Sequence, residues 1–321
     1  MIAAWMVAAT LFAALFAIAA LAGERALRLL GRQGRGPWLV ALAGALGWPA
    51  IGPAAAALFA RVTDGGARAV GPGANSAVRT IAATKPVMPS AWVNYMDAAL
   101  VTIWALASLA LFARLAWAMR ALSRVERSAA SEVIDGVRVL ITPAIGPAVF
   151  GARRLRLLVP RWLLDLDAPL RALVLRHEQE HCRSRDPQLT LAIAVALPLV
   201  PWNLGVWWIA RRLRLAVELD CDARVLRTDE DSQRYSRLLL FIAQRQSQTR
   251  LAPMLAESNS HLSRRITAMH APRPANPRLI VVCLALAAAG ALACSTRYAA
   301  DLTTAPSCRR AGLRRAGAAH R

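Results

Sequence analysis

The sequence predicts a mainly α-helical, polytopic membrane protein that also contains a small β-sheet and a metal-binding helix. Three observations lead to this fold class. Long uncharged runs recur along the chain, 56% of the residues are hydrophobic, and the mean hydropathy is +0.38. Short strand-like segments cluster between residues 132 and 160, and a His-Glu-x-x-His pattern follows them at residues 177–181. The chain is therefore expected to join a membrane-embedded helical part to one folded site.

Apolar runs near the roughly 20 residues that a helix needs to cross the hydrocarbon core predict the membrane spans. These are residues 1–22, 38–60, about 96–119 and 279–294. The first run could instead be a signal peptide, but no basic residue precedes it. Four arginines follow it, which favours a span with its N-terminus outside and the next loop in the cytoplasm. They are Arg25, Arg28, Arg32 and Arg35.

The net charge of +21 comes almost wholly from arginine, because Lys85 is the only lysine. Strong positive charge could indicate nucleic-acid binding, but no helix-turn-helix, zinc-finger or aromatic RNA-binding motif accompanies it. Arginines beside apolar runs are better explained by retention on the anionic, cytoplasmic face of a membrane. We therefore expect membrane lipid as a partner and no direct nucleic-acid binding.

The predicted domain organisation follows from these spans. Residues 1–119 are expected to form three transmembrane helices, with a Gly-, Ala-, Thr- and Pro-rich external loop at 61–94. Residues 120–278 are expected to form a folded domain that faces the cytoplasm. A last transmembrane helix at 279–295 and a disordered basic tail at 296–321 complete the prediction.

The strand-like segments predict a small sheet before the metal-binding helix. Residues 133–141 are typical of two short strands around the Asp135-Gly136 turn, and residues 148–150 and 155–159 add further strands. An edge strand beside a metal site can hold an extended substrate by main-chain pairing. A purely structural hairpin is the alternative interpretation.

The next helix, for which Asp165 or Asp167 is the expected cap, contains the His-Glu-x-x-His motif. His177 and His181 are one helical turn apart and project from one face, so they can hold a single metal ion. Glu178 is rotated about 100° from His177 and can reach a water at that metal. This arrangement of two ligands and a general base is that of zinc peptidases. A solvated helix face with these residues by chance is the alternative.

A third ligand is needed, because catalytic zinc sites typically have three from the protein. Glu218 and Asp222 are spaced i and i+4 on a helix predicted at about 204–227. We assign Glu218 as the third ligand, and Asp222 as the group that orients a ligating imidazole through its other nitrogen. Ordinary salt bridging on an Arg-rich helix is the alternative.

This assignment constrains the apolar run at 189–210. If that run crossed the membrane once, His177 and Glu218 would lie on opposite sides, about 30 Å apart, and could not share a metal. We therefore predict a re-entrant hairpin that turns near Pro198 and residues 201–203. Non-helical backbone at that depth is acceptable only when it is packed in protein or lines a wet cavity.

Three further side chains are candidate site residues. Cys182 and Cys221 flank the predicted ligands, and we expect them to serve in packing, with metal contact as the alternative. His261 is a candidate donor to the transition state of peptide hydrolysis, although a surface histidine is the favoured interpretation.

Several motifs occur together in this chain. They are Val174-Leu175-x-His177-Glu178-x-x-His181, the helix end Asp186-Pro187, the proline-broken apolar hairpin, Glu218-x-x-Cys221-Asp222, and Ser263-x-Arg265-Ile266. Over roughly residues 1–295, the chain thereby resembles the membrane metallopeptidases of the BlaR/MecR antirepressor family.

The resemblance implies a gluzincin-like zinc peptidase domain on the cytoplasmic side of a bacterial inner membrane. It implies one zinc ion held by His177, His181 and Glu218, with Glu178 as the general base. Asp186 and Asp222 would both belong to the shell of residues around these ligands. It also implies a peptide or protein substrate. In signal-dependent proteolysis this would be the chain itself, a winged-helix transcriptional repressor, or both.

One departure from the family pattern concerns the signal. Antibiotic-sensing members have a penicillin-binding domain after the last span, whereas this chain is expected to end in a tail of about 25 residues. Lys85 has Ala82 three residues before it, so the chain contains no Ser-x-x-Lys and acylation by a β-lactam is not expected. The alternatives are an HtpX-like quality-control peptidase in the membrane and a non-catalytic membrane signalling subunit.

Overall fold

The computed structural model describes residues 2–30, 34–48, 90–228, 232–247 and 259–270. Within these residues the chain is mainly helical, with one small mixed sheet. The predicted last span at 279–294 and the predicted tail at 296–321 lie outside the described residues. The same is true of residues 49–89, which include most of the predicted external loop.

Helices account for most of the described residues. They are α1 (Ile2–Leu29), α2 (Gly36–Trp48), α3 (Ser90–Ser128), α4 (Ala168–Arg183), α5 (Asp186–Ala196), α6 (Leu204–Val225), α7 (Ser232–Ser247) and α8 (Asn259–Met269). The His-Glu-x-x-His motif lies on α4, and the predicted third ligand lies on α6.

Two of the described helices are long and apolar enough to cross a membrane, judged by length and composition alone. They are Trp5–Arg28 within α1 and Asn94–Ser128 within α3. Helix α3 is longer than the third predicted span, because it begins at Ser90, inside the predicted loop, and continues past Met119. Of the second predicted span, the structure describes only the part up to Trp48.

The surface of α3 is apolar and open along most of its length. Ile103, Leu106 and Leu109 are each more than 60% exposed, and Trp92 and Tyr95 are also largely exposed. A continuous apolar surface of this kind marks a contact with lipid or with another protein.

The sheet has the strand order β1-β2-β4-β3. The strands are β1 (Ala130–Ile134), β2 (Val137–Thr142), β3 (Ala148–Phe150) and β4 (Arg156–Pro160). Between β1 and β2, Asp135 and Gly136 have φ angles of 50° and 79°, the left-handed conformation that two-residue hairpin turns require. The β2–β4 pair is parallel, whereas β1–β2 and β3–β4 are antiparallel. Strand β3 is therefore an edge strand, and it contacts α4.

The boundary between α4 and α5 differs from the prediction. The helix α4 ends at Arg183, before the predicted Asp186-Pro187. Arg185 then adopts the left-handed conformation, with φ 56°, and α5 begins at Asp186. Proline has no N–H and cannot continue α4, but it is tolerated in the first turn of a new helix. Asp167 occupies the N-cap position of α4, yet its side chain makes no capping hydrogen bond.

The chain reverses direction between α5 and α6. After α5, residues Leu197–Leu199 form a 3₁₀ turn, and α6 begins at Leu204. Asn203 closes this turn: its side-chain oxygen accepts from the Val206 N–H at 3.1 Å, and its amide donates to the Ala9 carbonyl at 3.2 Å. The far ends of the two helices meet again, because an Arg224 nitrogen lies 3.8 Å from an Asp186 oxygen.

Two hydrophobic cores are joined by α6. The first lies among α1, α2, α5 and α6 and includes Trp38, Ile193 and Leu213. The second lies between the sheet, α4, α7 and the end of α6, and it includes Val159 and Val225. Because α6 contributes to both cores, the position of its polar side chains depends on both.

Candidate metal centre

Helix α4 presents two buried imidazoles to the same point in space. His177 and His181 are each 9% exposed, and their Nε2 atoms lie 3.2 Å apart. The apolar residues Leu173, Val174 and Leu175 anchor the helix in the second core. The i, i+4 spacing thus brings the two imidazoles together on one face of α4, as the sequence predicts.

Helix α6 brings a carboxylate to these two nitrogens. Glu218 Oε2 lies 3.7 Å from His177 Nε2, and Glu218 Oε1 lies 3.6 Å from His181 Nε2. Zinc bonds of about 2.0–2.1 Å in tetrahedral geometry place donor atoms about 3.3 Å apart. The three side chains therefore form a donor set of the size and chemistry that zinc prefers.

A second donor set shares the two histidines. The Cys221 sulfur is buried and lies within 4.8 Å of donor atoms of His177 and His181. It is 3.3 Å from His177 Nδ1, and its thiol donates to the His177 carbonyl at 3.4 Å. The sulfur therefore lies on the Nδ1 side of the ring, whereas Glu218 lies on the Nε2 side.

The Nδ1 atom of each histidine has an oxygen partner. His181 Nδ1 lies 2.9 Å from Asp186 Oδ2, so it donates to that carboxylate. His177 Nδ1 lies 2.9 Å from the Tyr235 hydroxyl, whose single hydrogen is donated to Asp222 at 2.8 Å. The tyrosine oxygen can then only accept from His177. Both rings are thereby held in the tautomer that leaves the Nε2 lone pair free for a metal.

Asp222 reaches His177 mainly through Tyr235. Its nearest oxygen is 3.6 Å from His177 Nδ1, which is too long for a hydrogen bond. Tyr235 is thus a site residue whose role the sequence alone did not reveal. No spacing rule could have found it, because it belongs to α7 and meets the other two residues only in the folded chain.

Arg265 on α8 is a second residue whose role was not predicted from the sequence. It is 5% exposed, and two of its nitrogens donate to the two oxygens of Asp222, each at 2.8 Å. Its third nitrogen lies 3.1 Å from Glu218 Oε2. The only sequence signal was its place in Ser263-x-Arg265-Ile266. The guanidinium bridges the carboxylates of two residues one turn apart on α6.

Burial and neighbouring charges determine the protonation of the site. Burial raises the pKa of Glu178 to about 7, and Glu218 acts in the same direction while His177 opposes it. Burial alone would raise the pKa of Glu218, but Arg265, His181 and His177 hold it well below the ordinary value. Burial lowers the pKa of His181 to about 4. Glu218 is therefore an anion and His181 neutral at pH 7, as metal ligands must be. The pKa of His177 lies well above its ordinary value in the metal-free protein, because burial, which lowers it, is outweighed by Cys221 and Glu218.

His261 lies at the edge of this centre. Arg211 Nε donates to its Nε2 atom at 3.4 Å, and its ring is half-buried. Burial lowers the pKa of His261, and the nearby Arg211 and Arg264 lower it further. Its role as a donor to the transition state stays a prediction.

Comparison with known proteins adds two findings. A family model described as BlaR1 peptidase M56 matches residues 72–269, which is well over half of the chain. The regulatory protein BlaR1 of Bacillus licheniformis is 29% identical over 139 residues. The matched segment covers 41% of this chain and 23% of that protein, so it spans less than a quarter of the relative's length.

The low pKa of His181 can be tested in the metal-free protein. A histidine in the unfolded chain titrates near 6.5, whereas His181 in the folded protein should stay neutral down to about pH 4. Histidine side-chain ¹⁵N NMR, with His181→Gln to assign the signal, measures this. The unfolded state binds the proton more readily, so this residue should lower the stability of the metal-free protein as pH falls from 6.5 towards 4. A His181 signal that titrates near 6.5 would contradict the buried geometry.

Proposed function

Because the chain belongs to the BlaR1 peptidase M56 family, we propose that it is a membrane-bound zinc metalloendopeptidase that acts in regulated proteolysis. The observation that carries this proposal is the convergence of His177 Nε2, His181 Nε2 and the Glu218 carboxylate, with Glu178 next to the first ligand. Three donors from the protein leave the open fourth position that catalytic zinc sites have.

We favour Glu218 over Cys221 as the third ligand. Both histidines direct Nε2 towards Glu218, and the hydrogen bonds at their Nδ1 atoms keep those nitrogens protonated. A thiolate ligand at Cys221 would have to form next to Asp222 and Glu218, and burial already raises the pKa of this thiol. Glu218, in contrast, is held as an anion by Arg265.

Zinc in this site would supply the Lewis acidity that activates a water and polarises the scissile carbonyl. The side chain that we propose to move protons is Glu178. A carboxylate with a pKa near 7 can accept a proton from the attacking water and return it to the leaving amine at neutral pH. Its burial, at 7% exposure, keeps bulk water from competing for that proton.

The remaining polar residues hold the donors in place. Asp222 is bound at both oxygens by Arg265 and receives the Tyr235 hydroxyl, so its position is determined from two helices. Charge-assisted bidentate bonds of this kind are about twice as strong as neutral ones and fix the orientation of both groups. His177 and Glu218 are thereby preorganised for a metal, which favours an active site over a vestigial one.

Several features support a membrane location. Helices α1 and α3 have the length and composition of spans, and the apolar side chains of α3 are exposed along the helix. Arg35 lies against Asp186 beside the metal-binding helix, so the site is at the arginine-rich end of α1. The positive-inside rule assigns that end to the cytoplasm of a bacterial inner membrane. Retention in the membrane fraction after alkaline carbonate extraction would test this location.

The substrate we propose is a protein that is cut to relay a signal. The name of the Bacillus licheniformis relative, regulatory protein BlaR1, supports a regulatory role over general protein turnover. The chain itself and a winged-helix transcriptional repressor are the two candidate substrates. The small sheet offers a place for the substrate backbone, because β3 is an edge strand in contact with the metal-binding helix.

Replacing the general base should separate metal binding from catalysis. Glu178→Gln preserves the side-chain shape but removes the proton acceptor, so the purified variant should keep one zinc ion and lose at least about 10²-fold in cleavage rate. Zinc content by atomic emission and cleavage of the candidate repressor measure the two properties. Cleavage at the wild-type rate would exclude Glu178 as the base. A wild-type protein that binds zinc without cleaving any peptide would favour the non-catalytic signalling subunit.

The identity of the third ligand can be decided by a matched pair of variants on α6. Glu218→Gln should weaken zinc binding by at least about tenfold, because a neutral amide replaces an anionic ligand. Cys221→Ser should change the zinc dissociation constant by less than about twofold, because the sulfur lies on the Nδ1 side of His177, away from the proposed metal position. Competition with a chromophoric chelator gives both constants. The opposite ranking would assign the ligand to Cys221.

The substrate-binding strand can be examined with the inactive Glu178→Gln protein. If an extended substrate pairs with β3, the amide hydrogens of Ala148–Phe150 should exchange more slowly when a substrate peptide is bound. Hydrogen–deuterium exchange measures this, and β1 at the other edge of the sheet, Ala130–Ile134, is the internal control. Equal protection at both edges, or none at β3, would leave β3 as a structural strand only.

A further inference from the structure

Arg35, which precedes α2, reaches across to the metal-binding helix. One of its nitrogens pairs with Asp186 Oδ1, and another donates to the Ser184 carbonyl at 2.9 Å. Ser184 is the C-cap residue of α4, and Asp186 is the first residue of α5. The guanidinium therefore bridges the break between the two helices. Arg35 also lies outside residues 72–269, the part of the chain that the family model matches.

The Asp186 carboxylate has a different close partner at each oxygen, Arg35 at Oδ1 and His181 at Oδ2, while an Arg224 nitrogen lies farther away, 3.8 Å from Oδ2. Oδ1 receives the guanidinium, and Oδ2 lies 2.9 Å from His181 Nδ1. Asp186 is 3% exposed, so water cannot replace either partner without opening the site. Because Arg35 holds Oδ1, the position of Oδ2 is also fixed. Oδ2 in turn sets the orientation of the His181 ring.

A second group of contacts ties α1 and α2 to α6, the helix that contains Glu218. Glu24 on α1 is 7% exposed and accepts from Trp38 Nε1 at 2.9 Å and from Arg212 at 2.8 Å. Arg212 lies on α6, between the hairpin turn and Glu218, and its guanidinium lies over the Trp38 ring at 5.2 Å. The contacts of Arg35 and Glu24 together join α1 and α2 to α4, which contains His181, and to α6, which contains Glu218.

We propose that Arg35 is a positioning residue for the metal site, which orients the ligand His181 through Asp186 and thereby makes zinc binding depend on the α1–α2 pair. This inference rests on the proposed zinc site, but it does not depend on which substrate is cleaved. A shift of α2 relative to α4 would turn the Asp186 carboxylate and weaken the site without touching a ligand.

The test is a double-mutant cycle on zinc affinity in the detergent-solubilised full chain. Asp186→Asn should weaken zinc binding by about 10- to 100-fold, the usual effect of losing the partner of a ligating histidine. Arg35→Gln should weaken it by about tenfold, and Arg35→Lys by less, because one ammonium can restore the charge but not both contacts. If Arg35 acts through Asp186, the double variant should bind zinc within about twofold of Asp186→Asn alone.

A matched control comes from the same helix pair. Arg28 pairs with Glu24, but its side chain is 47% exposed and, among the residues that the structure describes, its ion pair is with Glu24 alone, so Arg28→Gln should leave zinc affinity unchanged. The visible spectrum of the Co²⁺-loaded protein adds a readout of ligand geometry that a loss of stability alone would not move. It should change in Arg35→Gln and stay constant in Arg28→Gln. Circular dichroism identifies any variant that has lost its helices, in which case Arg35→Lys carries the comparison.

The outcomes separate the inference from the proposed function. Unchanged zinc affinity in Arg35→Gln, or fully additive effects in the double variant, would overturn the inference and leave the peptidase proposal intact. A wild-type chain that binds zinc and shows the cycle, but cleaves no protein, would support the inference and overturn the proposed function. A wild-type chain that binds no zinc would overturn both.

Discussion

One metal ion can be shared by α4 and α6 only if the apolar segment between them returns to the side from which it started. This constraint explains features that hydropathy does not. The chain breaks at Leu197–Leu199, Asn203 closes the turn with both ends of its amide, and Arg224 comes back to Asp186. Each contact supplies a partner for a polar group in an apolar region, where an unpaired one is costly. The geometry of the site therefore depends on the turn that brings its two halves together.

The charged side chains buried around the proposed metal ligands lie next to partners of opposite charge. Arg265 neutralises Asp222 and approaches Glu218, while Tyr235 links Asp222 to His177. A buried ion pair is a poor source of net stability, because desolvation offsets most of the attraction. It is, however, an effective means of fixing geometry, since each charged partner has one low-energy arrangement. We interpret this network as preorganisation of a ligand set, with stability supplied by the two apolar cores.

How well the sequence predicted each feature depends on how far apart in the chain the interacting residues are. Local patterns performed well: the Asp135-Gly136 turn, the strands around it and the two imidazoles on one face of α4 all follow from spacing within a few residues. Helix boundaries were less accurate, because Pro187 and Arg185 define a break that apolar periodicity does not register. Tyr235 and Arg265 were missed, since each becomes a site residue only when α7 and α8 pack against α6. Arg35 was interpreted solely as a topology signal, although it also contacts Asp186.

The reversal at residues 197–203 has a consequence for how the topology of such a protein can be mapped. A reporter fused after Ala210 would keep the whole apolar run at 189–210 but remove the rest of α6, and with it the Arg224–Asp186 contact that returns the chain. The truncated apolar segment, freed from its partner, would be scored by hydrophobicity alone and would insert as an ordinary span. The fusion would then report the opposite side of the bilayer for everything that follows. Only tags inserted into the intact chain, or labelling of single cysteines within it, can report where the two halves of the site lie.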